Sequence, residues 1–277
     1  MRGNGRLKDM AKIGRNASPA LKIFLATLFL FLGQATAQED KQTALQSIAS
    51  ENPLIQADIL LSQGKASEAV DSYRAVMQAG QGFSPIAHFN FARALMLSGK
   101  PEEAMKEYRE AIVKSNGVFP EAYFNLGNAL AATSHEEEAI GAYEFAISQK
   151  PNQVYPKAYN NLANLLLKKG HVEEAIKNYE IAIGQESQSN PQSYYNLAQA
   201  MARAGQIKDA IRNYERAIKM RGGNFVEAYF NLALLYEKQG DIAAATKAFE
   251  RYLALSPNAA DAGLVRERIK WLVEKDK

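Results

Sequence analysis

An Asn-centred tetrapeptide recurs five times along the 277-residue chain: Phe89-Asn90-Phe91-Ala92, Phe124-Asn125-Leu126-Gly127, Asn160-Asn161-Leu162-Ala163, Tyr195-Asn196-Leu197-Ala198 and Phe230-Asn231-Leu232-Ala233. The asparagines step by 35, 36, 35 and 35 residues. Self-similarity at this period predicts an array of small units that bury their apolar faces on one another, in place of a single globular core. Arrays present long continuous surfaces, and a residue repeated once per unit is a candidate lining for one.

A second pattern runs in phase with the first. Ala69, Ala104, Ala139, Ala175, Ala210 and Ala245 each precede an aromatic by four residues: Tyr73, Tyr108, Tyr143, Tyr179, Tyr214 and Phe249. Gly64, Gly99, Gly170, Gly205 and Gly240 lie five residues before the alanines, with Ser134 at that place in the third unit. Six units follow, the first without the Asn. Within the third, Tyr123, Leu126, Gly127 and Leu130 follow one helical stripe, and Ala139, Tyr143 and Ala146 form another after a break at Ser134-His135. Each unit is therefore predicted to be two helices joined at a glycine that ends the first in a left-handed conformation. Pro85, Pro120, Pro191 and Pro257 fall between units, where the next helix starts and proline costs least.

In these motifs the chain resembles the tetratricopeptide-repeat family. The fourth unit carries the resemblance well, in Tyr159, Leu162-Ala163, Gly170, Ala175, Tyr179 and Ala182. The resemblance implies an all-α superhelical solenoid of six helix–turn–helix repeats over residues 50–257. A seventh helix is expected at residues 258–277, where Val265, Ile269 and Leu272 form an apolar stripe flanked by Leu264 and Trp271. The opposite face carries Arg266, Glu267, Lys270 and Glu274, as a terminal cap requires. The resemblance also implies a protein-binding scaffold that works without a cofactor.

Charge is divided unevenly. Of 33 Lys and Arg, six lie within residues 1–37 beside one acid, Asp9, which leaves 27 bases against 29 acids in the rest. A nucleic-acid binder ordinarily carries a basic stripe and an excess of positive charge, so that class is disfavoured. The first 37 residues read as a secretory signal: a basic start, an apolar run from Ile23 to Leu32, and the small-residue site Ala35-Thr36-Ala37. Ten apolar residues are short for a bilayer core, so no membrane insertion is expected after cleavage. Residues 38–49 are a short lead-in, and the expected location is periplasmic or secreted. With no cysteine, lipoprotein anchoring, disulfides and thiol chemistry are excluded.

Helical geometry places the asparagines. At about 100° per residue, Asn125 lies roughly opposite the stripe Tyr123, Leu126, Gly127, Leu130. Glu121, Asn128 and Ala132 share its side. In the resembled family that side lines the inner, concave surface. The expected peptide-binding groove is then Asn90, Asn125, Asn161, Asn196 and Asn231, with Asn128, Asn164 and Gln199 one turn on, and Lys168, Arg203 and Lys238 one turn further. Phe89, Phe124, Tyr195 and Phe230 flank it. Asn is a poor mid-helix residue, about 0.7 kcal/mol or less below Ala. Its recurrence needs another cause. One is hydrogen bonding to an extended peptide, since a carboxamide both donates and accepts. The other is a bond to the neighbouring repeat that fixes the superhelical angle.

The carboxylate-clamp subtype of the family is matched only at Asn128 and Asn161. Phe124, Gln192 and Asn196 stand where its basic residues belong. No catalytic or metal-binding constellation is found. His88 replaces a first-helix aromatic, and His135 and His171 follow turns. Neither H-E-x-x-H nor a phosphate-binding glycine loop occurs. Glu102-Glu103, Glu136 to Glu138 and Glu173-Glu174 open second helices, where they complement the helix dipole. The sequence thus points to an exported scaffold that binds a protein or extended peptide and assists or tethers an envelope assembly. The alternative is an accessory of cell-wall or secretion machinery that binds through its convex face. An exported enzyme is disfavoured, because the repeats occupy nearly the whole chain after the leader.

Overall fold

The computed structural model describes residues 52–275, apart from 81–82, 151–154 and 186–189. The expected signal segment and lead-in lie outside the described residues. Thirteen α-helices and no strand occur among the described residues. The described residues divide into two compact units, one up to residue 135 and one from residue 136.

The first unit holds α1 (Pro53–Ser62), α2 (Ala66–Gln78), α3 (Pro85–Leu97), α4 (Pro101–Lys114) and α5 (Pro120–Ala132). Each helix packs on the next, and α1, α3 and α5 also touch in succession. The first helices of the repeats thus stand side by side. The second unit holds α6 (Glu136–Ser148), α7 (Pro156–Lys169), α8 (Val172–Gln185), α9 (Pro191–Arg203), α10 (Ile207–Met220), α11 (Val226–Gln239), α12 (Ile242–Leu255) and α13 (Ala262–Lys275). Again neighbours pack in order, and the first helices α7 and α9 touch directly.

Local chemistry accounts for the helix ends. Pro53, Pro85, Pro101, Pro120, Pro156 and Pro191 each supply the first residue of a helix, where the missing N–H costs nothing. Pro257 differs from expectation, because it sits in the connection five residues before α13. At the turn between α7 and α8, Gly170 adopts φ 87°. This lets the N–H of His171 reach the carbonyl of Leu166 at 2.9 Å, and that of Gly170 the carbonyl of Leu167 at 3.2 Å, closing the helix as a Schellman motif. Ser134 takes the same left-handed conformation, φ 63°, and His135 N–H still reaches Leu130 at 2.8 Å. The turn geometry is therefore kept where the glycine is lost.

The in-phase alanines and aromatics form the core. All six alanines are fully buried, and Tyr73, Tyr108, Tyr143, Tyr179, Tyr214 and Phe249 are at most 2% exposed. Alanine admits the neighbouring helix closely while the aromatic fills the junction between repeats. Helix α13 packs on the sixth repeat. Val265 and Leu272 are buried with Phe249 and Tyr252, and Ile269 is packed against the same cluster. The sequence stripe holds, but its flanks do not: Leu264 is 76% and Trp271 51% exposed.

Candidate peptide-binding face

The recurrent asparagines lie on first helices α3, α5, α7, α9 and α11, and all five are half-buried. One turn further on, Asn128, Gln199 and Leu234 are half-buried while Arg93 and Asn164 are exposed. Leu97, Ala132, Lys168, Arg203 and Lys238, another turn on, are all exposed. The three tiers thus rise from the repeat junction to solvent along each first helix. In the first unit the outermost tier is apolar, with Leu97 and Ala132; in the second it is cationic at all three positions.

In the second unit several of these side chains reach back to the preceding repeat. Asn196 Nδ2 donates to Asn164 Oδ1 at 3.3 Å, and the same oxygen accepts the Tyr179 hydroxyl at 2.6 Å. Asn231 Nδ2 donates to the Tyr195 hydroxyl at 3.0 Å, which also accepts from Gln199 Nε2 at 3.0 Å. Arg203 Nη1 donates to the Leu167 carbonyl at 3.1 Å, and Lys168 is ion-paired with Glu136. Asn161 bonds the Tyr143 phenol, whose pKa burial pushes up to about 12. Burial likewise raises Tyr179 and Tyr214, with Arg203 acting in the opposite sense on both. One guanidinium therefore acts on two phenols from successive repeats.

The first unit has a variant of this arrangement. Asp58 on α1 stands at the place of Asn164 and accepts from the Tyr73 hydroxyl and from Asn90 Nδ2, the latter at 3.0 Å. Asn125 turns to its own helix, donating to the Glu121 carbonyl at 2.8 Å. His88 is buried, with Nδ1 2.7 Å from Glu107 Oε2 and its ring edge-on to Phe83. It is a core residue, consistent with its aromatic position. His135 contacts Thr133 and His171 lies near Glu174, both at turns. Among the described residues no group of three His, Cys, Asp or Glu side chains is placed to hold a metal ion.

Two features were not read from the sequence. The first is that second-helix tyrosines serve as polar partners of the face. The in-phase Tyr and Asn columns carried that signal, but as core and lining separately. The second is that flanking aromatics turn inward. Tyr195 stacks on Phe225 at 4.9 Å, Phe230 packs on Phe249 and Tyr252, and Phe89 on Tyr108 and Phe119. Asn160, the exception in that column, directs Nδ2 to the Pro156 carbonyl and the buried Ser193 hydroxyl.

Burial holds the Asp58 carboxyl above its ordinary value of 3.8, partly offset by Tyr73, Asn90 and Arg93. The folded state therefore keeps this proton more tightly than the unfolded chain. The ionised group costs stability at neutral pH, and that cost disappears as pH falls through the raised pKa toward 3.8. Asp58→Asn installs the residue found at positions 128 and 164 and retains an acceptor for Tyr73. Its thermal midpoint is expected to exceed that of the parent by a few degrees at pH 7, with the gap closing in acid. A lower midpoint at pH 7 would show that the charge is worth more paired than it costs buried.

Models of the tetratricopeptide repeat match residues 54–118, 120–153, 155–222 and 195–260. The chain belongs to the tetratricopeptide-repeat family. No curated protein matches the sequence. Among solved structures, the chain is similar to PilW, a widely conserved type IV pilus biogenesis factor, with 16% identity over 78% of this chain and 98% of that one, and a TM-score of 0.64. PilF of Pseudomonas aeruginosa gives 18% identity, 79% and 97% coverage and a TM-score of 0.62. YrrB, described as a TPR protein with an unusual peptide-binding site, gives 16% identity, 70% and 96% coverage and 0.60. At these identities the likeness establishes a shared fold, a solenoid of helical repeats.

Proposed function

We propose that this tetratricopeptide-repeat protein is an exported scaffold that takes an extended polypeptide along its asparagine face and assists or tethers an envelope assembly. The observation that carries the reading is the set of hydrogen-bonding valences left on that face in the second unit. Asn164 accepts two bonds, yet its amide donates none among the described residues and is exposed. Asn231 donates through Nδ2 to the Tyr195 hydroxyl and is also hydrogen-bonded to the Tyr214 phenol. Gln199 likewise donates to Tyr195. A carboxamide has two donors and an acceptor oxygen with two lone pairs. The bracing bonds therefore fix the amides in place and leave donor and acceptor capacity for a backbone. Lys168, Arg203 and Lys238 border the row. Export rests on the leader pattern of residues 1–37; no helix among the described residues is long and apolar enough to cross a membrane.

Site-specific photocrosslinking in the native host tests both parts. A crosslinker replacing Lys238 is expected to trap a polypeptide partner, and one replacing Glu180, an exposed residue of a second helix, is not. Adducts from position 180 alone would move the interaction to the other face. The same purified protein is expected to begin at Gln38; an intact Met1 would contradict export with cleavage.

A further inference from the structure

A cavity of about 670 Å³ opens between α11 and α12, with no residue of the asparagine face in its lining. Leu232, Ala244, Ala248 and Ala254 give it apolar walls, and Tyr229 lies at one side. The volume falls in the range of binding pockets, about 300–1,000 Å³.

The two preceding repeats differ from the sixth at three of the lining positions. At the places of Ala244, Ala248 and Ala254, the fifth repeat carries Asp209, Asn213 and Lys219. The fourth carries Glu174, Asn178 and Gly184. In the fifth repeat Asn213 occupies this position, with Nδ2 3.3 Å from the Met201 sulfur and 2.9 Å from the Asp209 carbonyl. Arg216 covers Tyr194, its guanidinium 4.4 Å from the ring centre. In the sixth repeat Ala248 lacks the side chain that Asn213 places there in the fifth. Arg251, the counterpart of Arg216, brings Nη2 beside Gly223 together with the Tyr229 hydroxyl, both within 4 Å of where a Cβ would stand.

The mouth is charged. Lys247 and Arg251 lie one turn apart on α12, both exposed, and Glu250 lies beside them. No ion pair among the described residues engages either cation. The other nearby phenol, Tyr236, donates its hydroxyl to Glu215 at 2.6 Å, so its ring and not its polar end serves the cavity. An apolar interior below two cations is complementary to an apolar group with a negative charge next to it.

We propose that this cleft is a second binding site, for a partner polypeptide that presents a large apolar side chain beside an acidic residue. The side chain enters between the alanines, and the acid meets Lys247 and Arg251. The cavity opens to solvent, so the partner's backbone can remain outside. The site is independent of the asparagine face, and either can fail without the other.

The test uses the full chain and a capped hexapeptide with a central Phe–Glu pair, followed by amide NMR shifts. Saturable shifts are expected at Gly223 and Ala248. Ala248→Asn restores the residue that the fourth and fifth repeats tolerate, and is expected to weaken binding at least about ten-fold with helicity unchanged, the loss of a good fraction of one buried side chain. Ala254→Lys, at an exposed site, is expected to act in the same direction. Lys247→Gln with Arg251→Gln is expected to abolish the preference for Phe–Glu over Phe–Gln and its dependence on salt. Equal binding of an Ala–Glu peptide, or unchanged binding by both filling variants, would overturn the proposal. Free 3-phenylpropionate binding as tightly as the peptide would assign the cleft to small acids instead.

Discussion

Removal of residues from Ala259 onward is expected to lower the thermal midpoint sharply and to make the protein self-associate. Helix α13 contributes the buried Val265 and Leu272, which together are worth about 3–6 kcal/mol of burial. Its loss also exposes faces of Phe249 and Tyr252. Two polar links go with it. Arg268 grips Glu237 through Nε at 2.7 Å and Nη2 at 2.9 Å, and Asp261 accepts the Tyr252 hydroxyl at 2.5 Å. These are smaller terms, since Arg268 is exposed. In a solenoid, stability propagates between nearest neighbours, so the sixth repeat should fray first. Hydrogen exchange is expected to show protection lost in α11 and α12 and retained in α7 and α8. Changing Leu264 and Trp271 to Ser, by contrast, should leave the midpoint nearly unchanged, because both side chains already face solvent. A truncated protein that stays monomeric with an unaltered midpoint would refute the capping role.

Changing Asn125, Asn161 and Asn196 together to Ala is expected to weaken partner binding while leaving the helices intact. Each neutral hydrogen bond lost costs about 0.5–1.5 kcal/mol. If each amide gives the partner one bond, three such losses correspond to roughly ten-fold to a thousand-fold in affinity. Opposing this loss, alanine favours the helix by up to about 0.7 kcal/mol per site. The bracing bonds sharpen the test. Asn161 holds the Tyr143 phenol and Asn196 holds Asn164, whereas Asn125 bonds only within its own helix among the bonds resolved for it. Affinity and thermal midpoint, measured on the triple variant and on Asn125→Ala alone, separate the two roles. Weaker binding with an unaltered midpoint supports the ligand ladder. An unchanged affinity with a lowered midpoint would make the row a brace between repeats and nothing more.

Much of the architecture was legible before any coordinate, because a helix encodes its buried face in local spacing. The period of the Asn tetrapeptide set the repeat, and the Ala–Tyr pairs set the junctions. The glycines set the turns, as Gly170 illustrates. The stripe Val265, Ile269, Leu272 marked the cap. The same wheel argument placed the asparagines off the core stripe, and they are half-buried there. Apart from the repeat period itself, all of these depend on residues within a few turns of each other.

What only the tertiary structure decided depends on how side chains meet once helices pack, including groups 32 and 36 residues apart that join one repeat to the next. No local pattern says that Tyr195 will bridge Gln199 and Asn231, or that Asp58 will hold both Tyr73 and Asn90. Nor does spacing say that Ser134 will keep a glycine conformation, closed by the bond from the His135 N–H to the Leu130 carbonyl. The cleft beside Tyr229 is the clearest case. Its alanines are visible in the sequence as ordinary helix formers. They become the walls of a cavity only through the packing of α11 on α12, where Asn213 of the preceding repeat has no counterpart side chain.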